Sequence, residues 1–314
     1  MKVMITGGAG FIGSNFVQQF VQGKYPEISK VTVLDKLTYA GNKENLGPAL
    51  SDPRVKFVLG DICDFSLVNA VVADLDAIIN FAAESHVDRS IENSAEFVTT
   101  NVLGTQTLLD AARIHKTKRF LQVSTDEVYG SIAEGSWDED SPLLPNSPYS
   151  ASKAAADLLV RAFFVTHGLD TIITRCSNNY GPRQYPEKLI PHFVQRLVGG
   201  ENVPVYGDGS NIRDWLHVED HCLGIYTALS KGRAGETYNI GGGIELTNLE
   251  LVNKILTLLN LSCDRISFVE DRLGHDFRYS IDWKKIEAIG YQPQKQFELE
   301  LENTVQWFKH KFAR

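Results

Sequence analysis

A glycine-rich loop between a strand and a helix constrains the fold of this chain more than any other feature. Lys2 to Thr6 is a β-prone run, and a helical pattern extends from Ser14 to Val21. Glycines in such a loop let backbone N–H groups approach a pyrophosphate at the helix N-terminus. The loop has the spacing of a dinucleotide-binding fingerprint, and it reads Gly7-Gly8-Ala9-Gly10-Phe11-Ile12-Gly13.

An acidic residue follows the second predicted strand, which runs from Lys30 to Leu34. A carboxylate at Asp35 can accept hydrogen bonds from the ribose hydroxyls of a dinucleotide, and it repels a 2′-phosphate. We therefore expect NAD rather than NADP. The neighbouring Lys36 weakens this preference slightly.

Strands alternate with helices along the first half of the chain. This alternation predicts βαβ units, and nearly continuous apolar strands predict a sheet covered on both faces. The expected fold is α/β, a doubly wound parallel sheet of the Rossmann type with a smaller α+β substrate-binding lobe. Further strands are predicted at Val55 to Leu59, Ala77 to Phe81, Phe120 to Ser124 and Thr171 to Arg175, and helices at Leu67 to Val72, Ala95 to Ile114 and Ser150 to Thr166.

The second half of the chain is richer in turns. Helices are predicted at Leu189 to Leu197, His217 to Leu229 and Leu249 to Leu259, with a strand at Thr237 to Ile240. We predict an NAD-binding domain at residues 1–176 plus about 217–240. The nucleotide-sugar-binding lobe is predicted at residues 177–216 plus 241–314.

Composition excludes several classes of protein. The 314 residues carry a formal net charge of −8, which argues against nucleic acid as a partner because nucleic-acid binding requires a basic face. No apolar run approaches the ~20 residues of a membrane span, and the N-terminus has no signal-peptide layout. Four widely spaced cysteines fit a reducing, cytoplasmic setting, namely Cys63, Cys176, Cys222 and Cys263.

Two groups of polar residues supply acid/base chemistry beside the dinucleotide site. In a helix, Tyr149 and Lys153 lie one turn apart on one face, and a nearby ammonium favours a phenolate that can act as a base. Hydride transfer from a carbinol requires such a base. The adjacent acids Asp126 and Glu127, at the end of a strand, indicate a further acid/base step, and like charges side by side raise one carboxyl pKa.

Other polar residues have two interpretations. Asp61 follows the third strand, where it can face the adenine or cap the helix that begins near Phe65. His217 and His221 have a spacing that can hold a metal, but no third ligand is evident, and we favour a helix start. No metal is expected.

The combination of these motifs resembles the extended short-chain dehydrogenase/reductase family, and within it the dTDP-glucose 4,6-dehydratases. The resemblance covers residues 1 to about 280. Its most specific part is the Thr-Asp-Glu triplet at 125–127, because related epimerases and decarboxylases usually lack adjacent Asp and Glu. The matching segments are Asp35 to Asn42, Ala82 to Asp88, Ser124 to Gly130, Asn178 to Pro182, Pro186 to Pro191 and Arg272-x-Gly274-His275-Asp276.

The resemblance implies roles for individual residues. Tyr149, with Lys153, takes the proton of the glucose 4-hydroxyl while Thr125 hydrogen-bonds that hydroxyl. Glu127 removes the C5 proton, and Asp126 protonates the leaving C6 hydroxyl. The cofactor-binding residues it implies are Gly7, Gly10, Phe11, Ile12, Gly13, Asp35, Lys36, Thr38, Asp61, Ile62, Ala82, Ala83, Glu84, Thr99, Tyr149, Lys153 and Asn179.

For the nucleotide-sugar partner, dTDP-glucose, the resemblance implies a second set of residues. Planar Arg side chains suit a diphosphate, and an aromatic ring suits the base. One departure is Arg183, where an aromatic or neutral residue is expected. The family is generally homodimeric. The substrate-binding set is Ser85, Thr125, Asn178, Lys188, Leu189, Pro204, Tyr206, Arg213, Asn248, Arg272 and His275.

The resemblance thus implies an NAD-dependent hydro-lyase that dehydrates dTDP-glucose and supplies deoxysugar biosynthesis, for example of rhamnose. A nucleotide-sugar 4-epimerase or a UDP-hexose dehydratase of the same family is the alternative. A non-catalytic NAD-sensing protein is a third hypothesis, which the presence of both Tyr149 and Lys153 disfavours.

Overall fold

The computed structural model of the chain describes residues 1–271 and 274–313. The strands in these ranges are β1 (Lys2–Thr6), β2 (Lys30–Asp35), β3 (Val55–Leu59), β4 (Ala77–Asn80), β5 (Arg119–Thr125), β6 (Thr171–Cys176), β7 (Asn178–Tyr180), β8 (Val203–Tyr206), β9 (Ile212–His217), β10 (Thr237–Ile240), β11 (Glu245–Thr247) and β12 (Ile266–Val269).

The α-helices in the same ranges are α1 (Phe11–Val21), α2 (Phe65–Val72), α3 (Val87–Glu92), α4 (Ser94–Phe97), α5 (Gly104–Ile114), α6 (Pro148–His167), α7 (Leu189–Val198), α8 (Val218–Lys231), α9 (Asn248–Leu258), α10 (Lys284–Glu287) and α11 (Phe297–Phe312). None of these helices combines the length and the apolar character needed to cross a bilayer.

The largest sheet has seven parallel strands in the order β10-β6-β5-β4-β1-β2-β3. The strand order reverses between β1 and β4, and such a switch point creates a crevice at the carboxyl ends of the strands. Helices cover both faces. Phe16 of α1 and Ile225 of α8 are buried on one face, and Leu108 of α5 and Val160 of α6 on the other. The doubly wound parallel sheet is confirmed.

Two smaller sheets lie in the second half of the chain. Strand β9 pairs with β7 in parallel and with β11 in antiparallel, while β12 pairs with β8. A separate apolar cluster joins α7, α9 and α11 through residues such as Val194, Ile255 and Val305. Strand β10 belongs to the large sheet. The exact division into two domains stays a prediction.

One predicted helix differs from the structure. The sequence pattern predicts a continuous helix at Ala95 to Ile114, but the structure has α4, a π-helical segment at Val98–Leu103, and then α5. A π-helical turn is wider than an α-helical turn, so it changes which side chains face the neighbouring elements.

Candidate active site

Two adjoining cavities open at the carboxyl ends of the parallel strands. The first, of about 300 Å³, extends from the glycine loop to the end of β5, and the second, of about 470 Å³, lies under α7 and β9. Both volumes suit a small-molecule ligand. The residues that line both cavities are Glu127, Asn178, Asn179, Gln184, Glu187 and Lys188.

The glycine loop packs too closely for side chains. Gly7 has a φ of +62°, and a Cβ there would lie 2.7 Å from the backbone nitrogen of Ala82. A Cβ on Gly13 would lie 2.5 Å from the carbonyl oxygen of Gly7. Helix α1 begins after Gly10, which provides no side-chain cap, so the N–H groups of its first turn remain available to an anion at the cavity.

Asp35 is held beside this loop. Its Oδ2 accepts a hydrogen bond from the Ala9 N–H (2.8 Å), and its Oδ1 accepts one from the Leu37 N–H (2.8 Å). Burial raises the pKa of Asp35, and the two backbone donors partly offset this effect. Each carboxylate oxygen keeps a second lone pair for a ribose hydroxyl. The loop and this carboxylate together fit the adenosine diphosphate part of NAD.

Asp61 does not cap the second helix. Asp64 does, since its side chain accepts a hydrogen bond from the Leu67 N–H (3.1 Å). Asp61 lines the first cavity and forms a 2.7 Å ion pair with Lys36. The charge of Lys36 is therefore partly neutralised, and a 2′-phosphate would meet two carboxylates beside it.

All but one of the predicted cofactor residues line the first cavity. The exception is Thr99, which is exposed, while the neighbouring Thr100 lines the cavity. Both belong to the π-helical segment, whose wider turn shifts the angular position of each residue relative to an α-helix. The residues that do line it are Gly7, Gly10, Phe11, Ile12, Gly13, Asp35, Lys36, Thr38, Asp61, Ile62, Ala82, Ala83, Glu84, Tyr149, Lys153 and Asn179.

The acid pair lies where β5 ends in a 3₁₀ turn, Asp126–Tyr129. Asp126 is 3% exposed, so it is not part of a solvated loop. Burial, and then the charges of Glu127 and Asp214, raise the pKa of Asp126 well above its usual value. Its Oδ1 accepts a 3.2 Å hydrogen bond from the Thr125 hydroxyl. Asp126 is therefore suited to act as a neutral acid, and its burial contributes more to this than the like charge beside it.

Tyr149 and Lys153 are both buried on α6 and line the first cavity. The Lys153 Nζ donates a 2.7 Å hydrogen bond to the carbonyl oxygen of Val123. Burial lowers the pKa of Lys153, although the charge of Asp157 acts in the opposite direction. Burial and then the charge of Glu127 raise the pKa of Tyr149 well above its usual value. These effects act against the lowering of the Tyr149 pKa that the sequence analysis expects from the nearby Lys153 ammonium.

The predicted substrate residues divide between the cavities. Ser85 and Thr125 line the first, and Asn178 and Lys188 line both. Arg272 lies outside the described residues. The residues that line the second cavity alone are Leu189, Pro204, Tyr206, Arg213, Asn248 and His275.

Arg213 is more constrained than its predicted role requires. Its Nη1 donates to the carbonyl oxygens of Ile212 (2.7 Å) and Phe277 (3.2 Å), and its Nη2 donates to that of Asp276 (2.9 Å). The guanidinium also lies 4.4 Å from the ring centre of Tyr279. These contacts fix the position of the Arg213 charge at the second cavity, but they use most of the N–H donors of its guanidinium.

Several residues at or near the cavities were not assigned to the site by the sequence analysis. Glu187 lines both cavities, Tyr279 lines the second, and the buried Asp214 raises the pKa of Asp126. Glu187 lies in a turn-rich segment just after the predicted site residues Asn178 and Asn179. This proximity in the chain could have indicated that Glu187 lies at the site. Tyr279 and Asp214 approach the site only through the pairing of β9 and its neighbours, for which no local pattern exists.

The two histidines of the 217–221 segment are structural. His217 caps α8 by accepting a hydrogen bond from the Glu219 N–H, and His221 shares a 2.9 Å hydrogen bond with Asn179. No metal-binding cluster of His, Cys, Asp and Glu occurs among the described residues. Arg183 adopts a φ of +73°, and its guanidinium donates to Oδ1 of Asn15 on α1.

Known proteins of similar sequence include nucleotide-sugar dehydratases. The family model described as GDP-mannose 4,6 dehydratase matches residues 4–304. A dTDP-glucose 4,6-dehydratase of Actinoplanes sp. is 58% identical over 313 residues, which cover 98% of each chain.

Solved structures extend the comparison. DesIV, the dTDP-glucose 4,6-dehydratase of Streptomyces venezuelae solved with NAD bound, is 56% identical with a TM-score of 0.97, covering 99% of this chain and 97% of DesIV. A Thermus thermophilus UDP-glucose 4-epimerase, also with NAD, is 29% identical with a TM-score of 0.90, covering 98% and 99%. The fold alone thus does not separate the two activities. The chain belongs to the GDP-mannose 4,6-dehydratase family and, within the extended short-chain dehydrogenases/reductases, it groups with the dTDP-glucose 4,6-dehydratases.

Proposed function

We propose that this protein converts dTDP-glucose to dTDP-4-keto-6-deoxyglucose with NAD as a hydride carrier that is not consumed. The observation that carries this proposal is the buried Asp126 beside Glu127, in the same cavity as Tyr149 and Lys153. An epimerase that returns the hydride to C4 has no step for an acid and a base at C5 and C6.

The first step is oxidation at C4. Tyr149 accepts the proton of the 4-hydroxyl, Thr125 hydrogen-bonds that hydroxyl, and Lys153 supports the phenolate. Bound NAD supplies a hydride acceptor and, when oxidised, a positive charge that favours this phenolate. That charge would act against the burial that raises the pKa of Tyr149.

The second step is loss of water. The 4-ketone acidifies the C5 proton, which Glu127 removes, and Asp126 gives its proton to the departing C6 hydroxyl. The hydride that left C4 then arrives at C6, and C5 regains a proton. One water molecule leaves, and no net oxidation occurs.

We assign NAD to the first cavity and the nucleotide part of the substrate to the second. The residues around the glycine loop and Asp35 hold NAD, and Asn178 and Lys188, which line both cavities, lie where the hexose and the diphosphate meet them. Arg213, Tyr206 and His275 line the second cavity, and we assign the diphosphate to the fixed charge of Arg213 and the base to Tyr206 and His275. These assignments support a dTDP-hexose substrate, with UDP-hexose as the competitor.

An activity panel tests this proposal. We expect a 4-keto product from dTDP-glucose and far less from UDP- or GDP-hexoses. The double variant Asp126→Asn, Glu127→Gln should lose dehydration. If the double variant still interconverts C4 epimers at the wild-type rate, the protein is an epimerase.

We infer a homodimer from an apolar surface on two neighbouring helical segments. Val98 and Leu103 of the π-helical segment, and Leu158 and Val165 of α6, are each more than half exposed. Exposed apolar side chains grouped in this way mark an interface. Leu158→Glu should give a monomer in analytical ultracentrifugation, whereas Leu299→Glu, on the equally exposed face of α11, should leave the dimer intact.

We also propose a cytoplasmic enzyme that supplies deoxysugar synthesis. The four cysteines are free thiols, as a reducing compartment maintains them. The 4-keto-6-deoxy product is the substrate that later reductions or epimerisations need. Fractionation of cells with an antibody to the protein tests the location.

A further inference from the structure

A buried arginine outside the catalytic set contacts two different elements of the site. Arg175, on β6, is 5% exposed. Its Nε donates a 3.0 Å hydrogen bond to Oδ2 of Asp157, and its Nη1 donates a 2.9 Å hydrogen bond to the hydroxyl of Tyr129. The Tyr129 hydroxyl in turn donates to Oδ1 of Asn239 on β10 (2.8 Å).

The two partners of Arg175 belong to the two segments that carry the proposed chemistry. Asp157 lies on α6, one turn beyond Lys153 and two turns beyond Tyr149, on the same face of the helix. Tyr129 ends the 3₁₀ turn that begins with Asp126. One guanidinium therefore joins the segment that oxidises C4 to the segment that eliminates water.

The contacts of Arg175 with Asp157 and Tyr129 are buried, and their hydrogen bonds fix an orientation as well as holding the two segments together. Tyr129 and Asp157 are 0% and 1% exposed, and the Arg175 guanidinium lies 4.8 Å from the ring centre of Tyr129. A buried ion pair has a large desolvation cost, and apolar side chains of similar volume often stabilise a fold as well or better. Apolar side chains would not fix the angle between α6 and the turn as the two hydrogen bonds of Arg175 do.

We propose that Arg175 is a positioning residue that holds Tyr149 and Lys153 in register with Asp126 and Glu127, so that water loss follows oxidation before the intermediate escapes. This inference rests on the proposed function. Arg175 lines neither cavity, and it acts only through Asp157 and Tyr129.

Tyr129→Phe tests the link to the elimination turn. The variant keeps the ring but loses the hydrogen bond from Arg175 and the one to Asn239. After rapid mixing with dTDP-glucose, the absorbance of reduced nicotinamide should rise at the wild-type rate and decay about tenfold more slowly. Reduced cofactor should therefore accumulate on the enzyme. Tyr291→Phe is the matched control, since this fully buried tyrosine donates to the Gly241 carbonyl oxygen and neither residue lines a cavity.

Asp157→Asn tests the other link. Loosening α6 should slow the rise of reduced nicotinamide and leave its decay unchanged, the opposite signature to Tyr129→Phe. Equal slowing of both phases in each variant, in proportion to a fall in melting temperature, would show that Arg175 only stabilises the fold. Unchanged phases in both folded variants would also overturn the inference. If the wild type forms no 4-keto product, the proposed function itself fails.

Discussion

The Lys153 ammonium lies 2.7 Å from the carbonyl oxygen of Val123, two residues before the end of β5. Helix α6 is thereby anchored to the strand that presents the acid pair. This hydrogen bond therefore links the helix that carries Tyr149 to the strand that leads to Asp126 and Glu127, the residues to which we assign the two proposed steps. An enzyme that must keep its intermediate bound depends on catalytic side chains that are held in fixed relative positions.

Asp126→Asn should abolish most of the dehydration. Asn has the shape of Asp but cannot donate the proton that the C6 hydroxyl needs, so the rate should fall about 100-fold or more. We expect product formation to fall while oxidation at C4 continues. Asp140→Asn, at an exposed position, is the control and should keep full activity. A normal rate in Asp126→Asn would remove the acid from the mechanism.

The pH dependence of the reaction should respond to Asp214. In the proposed mechanism Asp126 acts in its protonated form, so activity should be lost as pH rises through its folded-state pKa. The charge of Asp214 helps to raise that pKa. Asp214→Asn should therefore lower the pKa of Asp126 and move the alkaline limb of kcat/KM to lower pH. Asp208→Asn, at an exposed position, should leave the profile in place. A shift of the Asp214→Asn limb to higher pH would contradict the assignment.

The glycine loop should not tolerate a methyl group at its closest contact. Gly13→Ala places a Cβ 2.5 Å from the Gly7 carbonyl oxygen, so the loop must move away from the pyrophosphate. We expect NAD affinity to fall at least about tenfold in calorimetric titration, a change of about 1.4 kcal/mol. Gly199→Ala is the control because its added Cβ meets only ordinary 3.4 Å contacts. Equal affinity in the two variants would exclude a close-packed loop.

Acid should destabilise the protein through a buried histidine. Burial lowers the pKa of His221 from 6.5 to about 3, so below about pH 6.5 the unfolded chain binds a proton that the folded chain does not. The free energy of unfolding should then fall by about 1.4 kcal/mol per pH unit from this group. His221→Gln should reduce the slope in urea unfolding between about pH 6 and about pH 4. The exposed His310→Gln should not change it, and an unchanged slope in His221→Gln would refute the role of burial.

The sequence predicted the parts of the site that depend on local pattern. The glycine loop and Asp35 follow directly from strand–turn–helix periodicity, and both line the first cavity. Asp126 and Glu127 were recognised because they follow a predicted strand. Carboxyl ends of parallel strands meet at one edge of a sheet, so their positions could be inferred without coordinates.

What the sequence could not predict depends on tertiary context. A π-helical segment determines that Thr100, and not Thr99, lines the first cavity. The i→i+5 hydrogen bonds of such a segment have no strong sequence signal. The pKa of Tyr149 is raised by burial and by the charge of Glu127. The burial depends on tertiary packing, and Glu127 is distant from Tyr149 in the chain. The contacts of Arg175 require three separate elements to meet.

The fate of the C4 hydrogen tests the central claim most directly. The enzyme is incubated with dTDP-glucose that carries deuterium at C4, and the product is analysed by NMR and mass spectrometry. If oxidation at C4 prepares the loss of water and the same hydride returns, the deuterium appears at C6 of the 4-keto-6-deoxy product. Deuterium retained at C4, or lost to solvent, would contradict the account.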